Sequence, residues 1–153
     1  MFFPFFKKKS NILSKAQQEA IVAAIRNTER QTSGEVRVYV ETNNPFMDPL
    51  DRAKEIFFQM KMQETDNRNA VLIYIAHKDR ELAIFADQGI YDRAGADFWN
   101  HAVKGMLQQF SSNNIVDGLI NCIGAVGESL RTHFPYDSDT DKNELPDDII
   151  FGK

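Results

Sequence analysis

The sequence predicts an α/β domain of three layers, a mixed β-sheet flanked by helices in the order α-β-α-β-β-α-α. Three observations carry that expectation. Residues 35–40 (EVRVYV) alternate strictly, with Val36, Val38 and Val40 on one face and Glu35, Arg37 and Tyr39 on the other, as in a strand. Residues 69–75 (NAVLIYI) form a nearly continuous apolar run, as in a strand covered on both faces. Segments with apolar residues at helical spacing precede, separate and follow these two runs.

Each element has its own local signal. Ser14 followed by Gln17 is a capping-box start. The stripe Ala20, Ile21, Ala24, Ile25 and Thr28 then predicts a helix ending near Ser33–Gly34. After the first strand, Asn43, Asn44 and Pro45 break the chain, and Asp48-Pro49 opens a second helix because proline in the first turn gives up only an orphan donor. Leu50, Ala53, Phe57 and Met60 line its expected inner face. Past the buried strand, His77–Arg80 makes a polar turn, Leu82–Phe85 returns antiparallel, and Asp87-Gln88-Gly89 closes the hairpin. Phe98, Ala102, Met106 and Phe110 mark a third helix, with Trp99 half-packed beside the stripe. Asn113 or Asn114 caps a fourth, which is expected to bury Ile115, Leu119, Cys122, Ile123, Val126 and Leu130. Gly118, Gly124 and Gly127 weaken that helix by about 1 kcal/mol each relative to alanine, so close approach of a neighbouring element is expected there.

The 153 residues suit one compact unit, divided as an aromatic and basic segment (1–13), the α/β domain (14–134) and an acidic C-terminal tail (135–153). The composition, 42% hydrophobic and 26% charged, is that of a globular protein. A net charge of −4 argues against nucleic acid as a partner, since gripping a phosphate backbone calls for a basic surface. The single Cys122 excludes an internal disulfide and a cysteine zinc site. Apolar Met1–Phe6 precedes Lys7–Lys9, the reverse of a secretion signal, and no transmembrane segment is evident, so the expected location is cytoplasmic, with the membrane periphery open to the Phe and Lys residues. In the tail, Asp137, Asp139 and Asp141 alternate as in a calcium loop, but Lys142 stands where such a loop needs glycine and Asp148 where it needs glutamate. The tail is therefore read as solvated. Ile149, Ile150 and Phe151 are too apolar for that and are expected to dock on the domain.

A right-handed crossover makes the first two strands parallel, and the hairpin sends the third the other way. One end of the sheet then collects the loop at Asn43–Asp48 and the hairpin turn. The opposite end collects Ser33–Glu35, the Asp66–Asn69 loop and Asp87–Gly89. Asp66, Asp87 and nearby Asp92 supply the hard oxygens that Ca²⁺ or Mg²⁺ accepts, Glu35, Arg37 and Asn69 line the approach, and Gly89 admits a close backbone contact. The carboxyl ends of parallel strands are the usual ligand site of open α/β sheets; here they offer Asn43, Asn44 and Asp48 but no glycine-rich phosphate cradle. There is no P-loop, dinucleotide fingerprint, zinc-protease motif or nucleophile elbow. His77, His101 and His133 are dispersed.

TSGEVRVYVE, the helix DPLDRAKEIFFQMKM and DNRNAVLIYIAHKDRELAIFADQGI, taken in order over residues 14–134, closely resemble the TPM domain. The resemblance implies a mixed sheet between helices. It implies phosphatase activity in some members, support of membrane protein complexes in others, and divalent-cation binding. Where many relatives read Asp-Asn-Gly before the buried strand, this chain reads Arg68-Asn69-Ala70, and of the second glycine-rich stretch only Gly89 remains. The expected function is a non-catalytic module that supports a membrane-associated protein, with Ca²⁺ or Mg²⁺ as a possible ligand. The alternative is a metal-dependent acid-phosphatase-like hydrolase, with Asp66 and Asp87 on the metal and Glu35 or Asp92 as base.

Overall fold

The computed structural model describes residues 13–45, 47–111, 114–137 and 149–152. The basic run Lys7–Lys9 and the tail residues Asp139, Asp141 and Asp148 lie outside these. In chain order the elements are α1 (Lys15–Glu29), β1 (Glu35–Glu41), α2 (Pro49–Gln59), β2 (Ala70–Ala76), β3 (Glu81–Ala86), α3 (Gln88–Ala94), α4 (Ala96–Ser111), α5 (Ile115–His133) and β4 (Ile150–Phe151). The four strands form one mixed sheet in the order β3-β2-β1-β4. β1 is parallel to β2 and to β4, and β2 is antiparallel to β3.

The sheet separates two cores. On one face Val36, Val38 and Val40, with Val71, Ile73 and Ile75, pack against α1, α4 and α5. On the other face α2 buries Ala53, Ile56 and Phe57 against Leu72, Tyr74 and Ala83. Both strands are interior, so the unbroken apolar run of β2 and the alternation of β1 reflect what covers their faces: β2 is packed by apolar side chains on both, whereas β1 carries polar groups on its α2 face.

The predicted layers are those observed, and two elements extend the predicted order. Asp87 does not close a turn. Its side chain accepts from Gln88 N at 2.8 Å and starts the short helix α3, so Gly89 lies in a first helical turn. Ile150 and Phe151 dock as expected, and do so by adding β4 beside β1, where Gly152 N donates to Val40 O at 2.7 Å. Helix α1 begins with the predicted capping box but ends at Glu29, before Ser33. Thr32 turns away because its hydroxyl donates to Phe134 O and it bridges to Pro135. Trp99 is buried rather than half-packed, since its indole N–H finds Tyr91 O at 3.2 Å and its ring stacks on Tyr91. Of the α5 glycines, two explain themselves by close approach: a Cβ at Gly118 would lie 2.6 Å from Gln109 Cβ, and one at Gly127 would lie 2.7 Å from Thr28. Gly124 has open space there. Among the described residues no helix is long and apolar enough to cross a membrane.

Candidate functional site

The amino end of the parallel strands gathers the predicted loops. Glu35 N donates to Asn69 O at 3.3 Å, Asn69 Nδ2 to Ser33 Oγ at 3.4 Å, and Gly89 N to Arg68 O at 2.9 Å. These bonds join the three segments into one corner. Gly89 is required there, since a Cβ would meet Asn67 O at 2.2 Å and Arg68 O at 2.5 Å.

Within that corner the carboxylates have different surroundings. Asp87 is buried, and both of its oxygens are held by Arg68, whose Nε donates to Oδ2 at 2.6 Å and Nη2 to Oδ1 at 2.8 Å. This hydrogen bonding raises the Arg68 guanidinium further above its ordinary value. Asp66 and Asp92 are exposed. Glu35 is buried, Arg37 is half-buried, and Asn69 is buried with Oδ1 lacking a hydrogen-bond partner among the described residues. The fit to a divalent ion can be judged from Asp87. A cation on it would have to displace a bidentate guanidinium, and among the described residues no group of three or more His, Cys, Asp or Glu side chains is placed to hold a metal. As arranged, these residues do not fit a resident ion.

The carboxyl end of the strands holds a polar cluster that the sequence did not disclose. Glu41, 4% exposed, receives Arg52 Nε and Nη2 at 2.9 Å each and the Tyr74 hydroxyl at 2.5 Å. Arg52 also reaches Glu55 at 2.5 Å. The hydrogen bond to Glu41 raises the Arg52 guanidinium, while burial and then Glu41 push the Tyr74 phenol up. Burial likewise raises Tyr39, with the Glu41 charge adding to it. The clue was slight: Glu41 only continues the polar face of β1 already formed by Glu35, Arg37 and Tyr39.

A cleft of about 700 Å³ runs from the Arg68–Asp87 corner along β3. One wall is α2, with Leu50, Lys54 and Phe58; the other is α3 and α4, with Tyr91, Asp92 and Trp99. Leu50, Phe58 and Tyr91 are 50%, 39% and 40% exposed, a cluster of apolar side chains left uncovered. Leu50 was expected to face inward. It lies in the first turn of α2 at the cleft mouth, while Ile56 takes a buried place. Phe58 could have been noticed, because Phe57 and Phe58 are adjacent on a helix and cannot share one narrow buried stripe.

The mixed sheet, with its single parallel crossover and closing hairpin, defines a small α/β domain whose polar corner opens into a cleft along an edge strand. The sequence profile of the TPM domain matches residues 6–129, and the chain belongs to that family. It is similar to the BA42 protein of the psychrophilic bacterium Bizionia argentinensis, at 39% identity over 92% of this chain and 95% of that one, with a TM-score of 0.84. The fold is also that of an N-terminal domain of a P. gingivalis protein (19% identity, 82% of each chain, TM-score 0.67). The N-terminal domain of cg2496 from Corynebacterium glutamicum shares it too (16% identity, 77% of this chain and 74% of that one, TM-score 0.62). No curated protein matches the chain.

Proposed function

We propose that this TPM domain is a binding module that supports a membrane-associated protein partner. The observation that carries this reading is the open cleft beside β3, with Leu50 and Phe58 uncovered on one wall and Tyr91 on the other. The chemistry of the remaining groups agrees with it. His77 is in the hairpin turn, His101 on an exposed helix face and His133 at the end of α5, so no two of them share an element. The Cys122 thiol is buried and pushed up to about 12, which keeps it protonated and unreactive at neutral pH.

The test is sedimentation of the full chain with membranes. Binding is expected to native membranes, to be lost when these are treated with protease, and to be absent from protein-free vesicles of the same lipids. Phe58→Asp should abolish it. Equal binding to bare vesicles would replace a protein partner by the lipid surface, and no binding to any membrane would end the proposal.

One observation favours a second reading, a metal-dependent phosphatase-like hydrolase: three loops do converge on one corner, one carrying the exposed Asp66 and one the buried Asp87, and Asp92 lines the adjoining cleft. It requires Arg68 to release Asp87 to Ca²⁺ or Mg²⁺. Calorimetric titration with either ion, followed by turnover of a simple phosphate ester, decides it. Heat of binding lost in Asp87→Asn together with ion-dependent turnover would support the enzyme. No turnover at saturating ion would remove it.

A further inference from the structure

We propose that the outer edge of β3 is a strand-acceptor site, which takes an extended peptide segment of the partner as a fifth strand of the sheet. The inference rests on the binding-module reading and adds how the partner is held. It starts from backbone register. Asp87 N donates to Ala70 O at 2.9 Å, so 70 and 87 form a hydrogen-bonded pair of the antiparallel ladder. Alternation then makes Phe85, Ala83 and Glu81 the residues bonded to β2, and it turns the N–H and C=O of Leu82, Ile84 and Ala86 outward. β3 ends the strand order, and no hydrogen bond to these outward groups occurs among the described residues. They line the cleft. Small ligands satisfy such a row poorly, whereas a second backbone in extended form matches it bond for bond.

The walls say what kind of strand fits. Side chains of an added strand alternate in direction. One set would face α2, where Lys54 stands among Leu50 and Phe58, and the other would face α3 and α4, where Asp92 stands beside Tyr91 and Trp99. Neither Lys54 nor Asp92 has an ion pair among the described residues. Charge complementarity therefore specifies an apolar segment with an acidic residue on its α2 side and a basic residue on the other. A second copy of this domain fits less well. Its own β3 is recessed between the same two walls, and two recessed edges do not meet.

The probe is a capped synthetic heptapeptide, valine-tyrosine-glutamate-valine-valine-lysine-valine, titrated into the isotope-labelled full chain. Saturable shifts are expected at the amides of Leu82, Ile84 and Ala86, with slowed hydrogen exchange at those three. Methylating alternate peptide nitrogens removes main-chain donors without changing the side chains. That should weaken binding roughly tenfold or more. Ala86→Pro removes one outward N–H at an edge position, where proline is tolerated, and should weaken binding in the same sense. Equal affinity of the methylated peptide would overturn strand addition while leaving the cleft as a side-chain binding site. Exchanging glutamate and lysine in the peptide without loss would overturn the charge assignment. If the three amides are already protected in the free chain at every concentration, the edge is occupied by the chain itself, and protection that grows with concentration means a second copy; either overturns the proposal. Failure of all peptides with membrane sedimentation intact sinks the strand site alone, whereas loss of both sinks the binding module.

Discussion

Two arginine–carboxylate pairs sit at opposite ends of the sheet, alike in geometry and different in setting. At the carboxyl end of the parallel strands Arg52 clasps Glu41 with both donors at 2.9 Å, and its side chain is 16% exposed. At the amino end Arg68 clasps Asp87 in the same bidentate way, but its side chain is 38% exposed. Glu41 has a third partner in the Tyr74 hydroxyl, deep in the smaller core. Asp87 spends its remaining capacity on the first N–H of α3. A clasp that is sealed by core acts as structure. One that opens into a cleft can exchange its partner, and this is what recommends the amino end as the place where the molecule meets something else.

The largest effect should come from breaking the sealed pair. Arg52→Ala leaves Glu41 as an uncompensated buried charge, a change that costs about 3–5 kcal/mol. A denaturant titration should show the midpoint falling with little change of slope. Replacing both Glu41 and Arg52 by leucine should recover much of that loss, because no charge is then stranded. Full stability in Arg52→Ala would show that Glu41 is solvated and the contrast between the two ends is empty.

Tyr74→Phe comes next, at about 2 kcal/mol for a hydrogen bond to a charged group. Its pH dependence has a definite sign. The Tyr74 phenol is raised in the folded chain by burial and by Glu41, so the folded state holds this proton after the unfolded chain has lost it near pH 10. The stabilisation is complete below about pH 10 and is lost as pH rises further. The stability gap between the native chain and Tyr74→Phe should therefore narrow in alkali. A gap that stays constant to pH 11 would show that the phenol is not buried against a carboxylate.

How legible all this was depended on whether the determining interaction was local. Ser14–Gln17 and Asp48-Pro49 announce their helices because capping is settled within three or four residues. The parallel crossover and the hairpin follow from period and chirality, so the convergence of the Ser33, Asp66 and Asp87 segments could be read in advance. The role of Asp87 could not. A turn and a helix cap share their residue types, and only the bond from Gln88 N tells them apart. The Glu41 cluster was hidden for a different reason: its members are 11 and 33 residues apart, and no short-range pattern requires them to meet. The short strand β4 lies beyond reach in the same way, since Ile150 and Phe151 declare only that they avoid water.

At the open end the effects should be smaller and more informative. Gly89→Ala presses a methyl group on the backbone oxygens of Asn67 and Arg68, which cannot rotate away, so a loss of about 1–3 kcal/mol is expected. Asp87→Ala forfeits the cap of a helix of only seven residues, about 1 kcal/mol, and frees the Arg68 guanidinium. Arg68→Gly should cost least. Arg68 sits at φ 52, a left-handed conformation that glycine takes without strain, so relief of the backbone offsets the lost clasp. Thermal melts of Arg68→Gly and Arg68→Ala separate the two contributions, with the alanine variant expected to be the less stable. Equal melting of both would show that the left-handed residue is under no strain. A fall in either as large as that of Arg52→Ala would mean that the amino end is as firmly built as the other, leaving no exchangeable clasp beside the cleft.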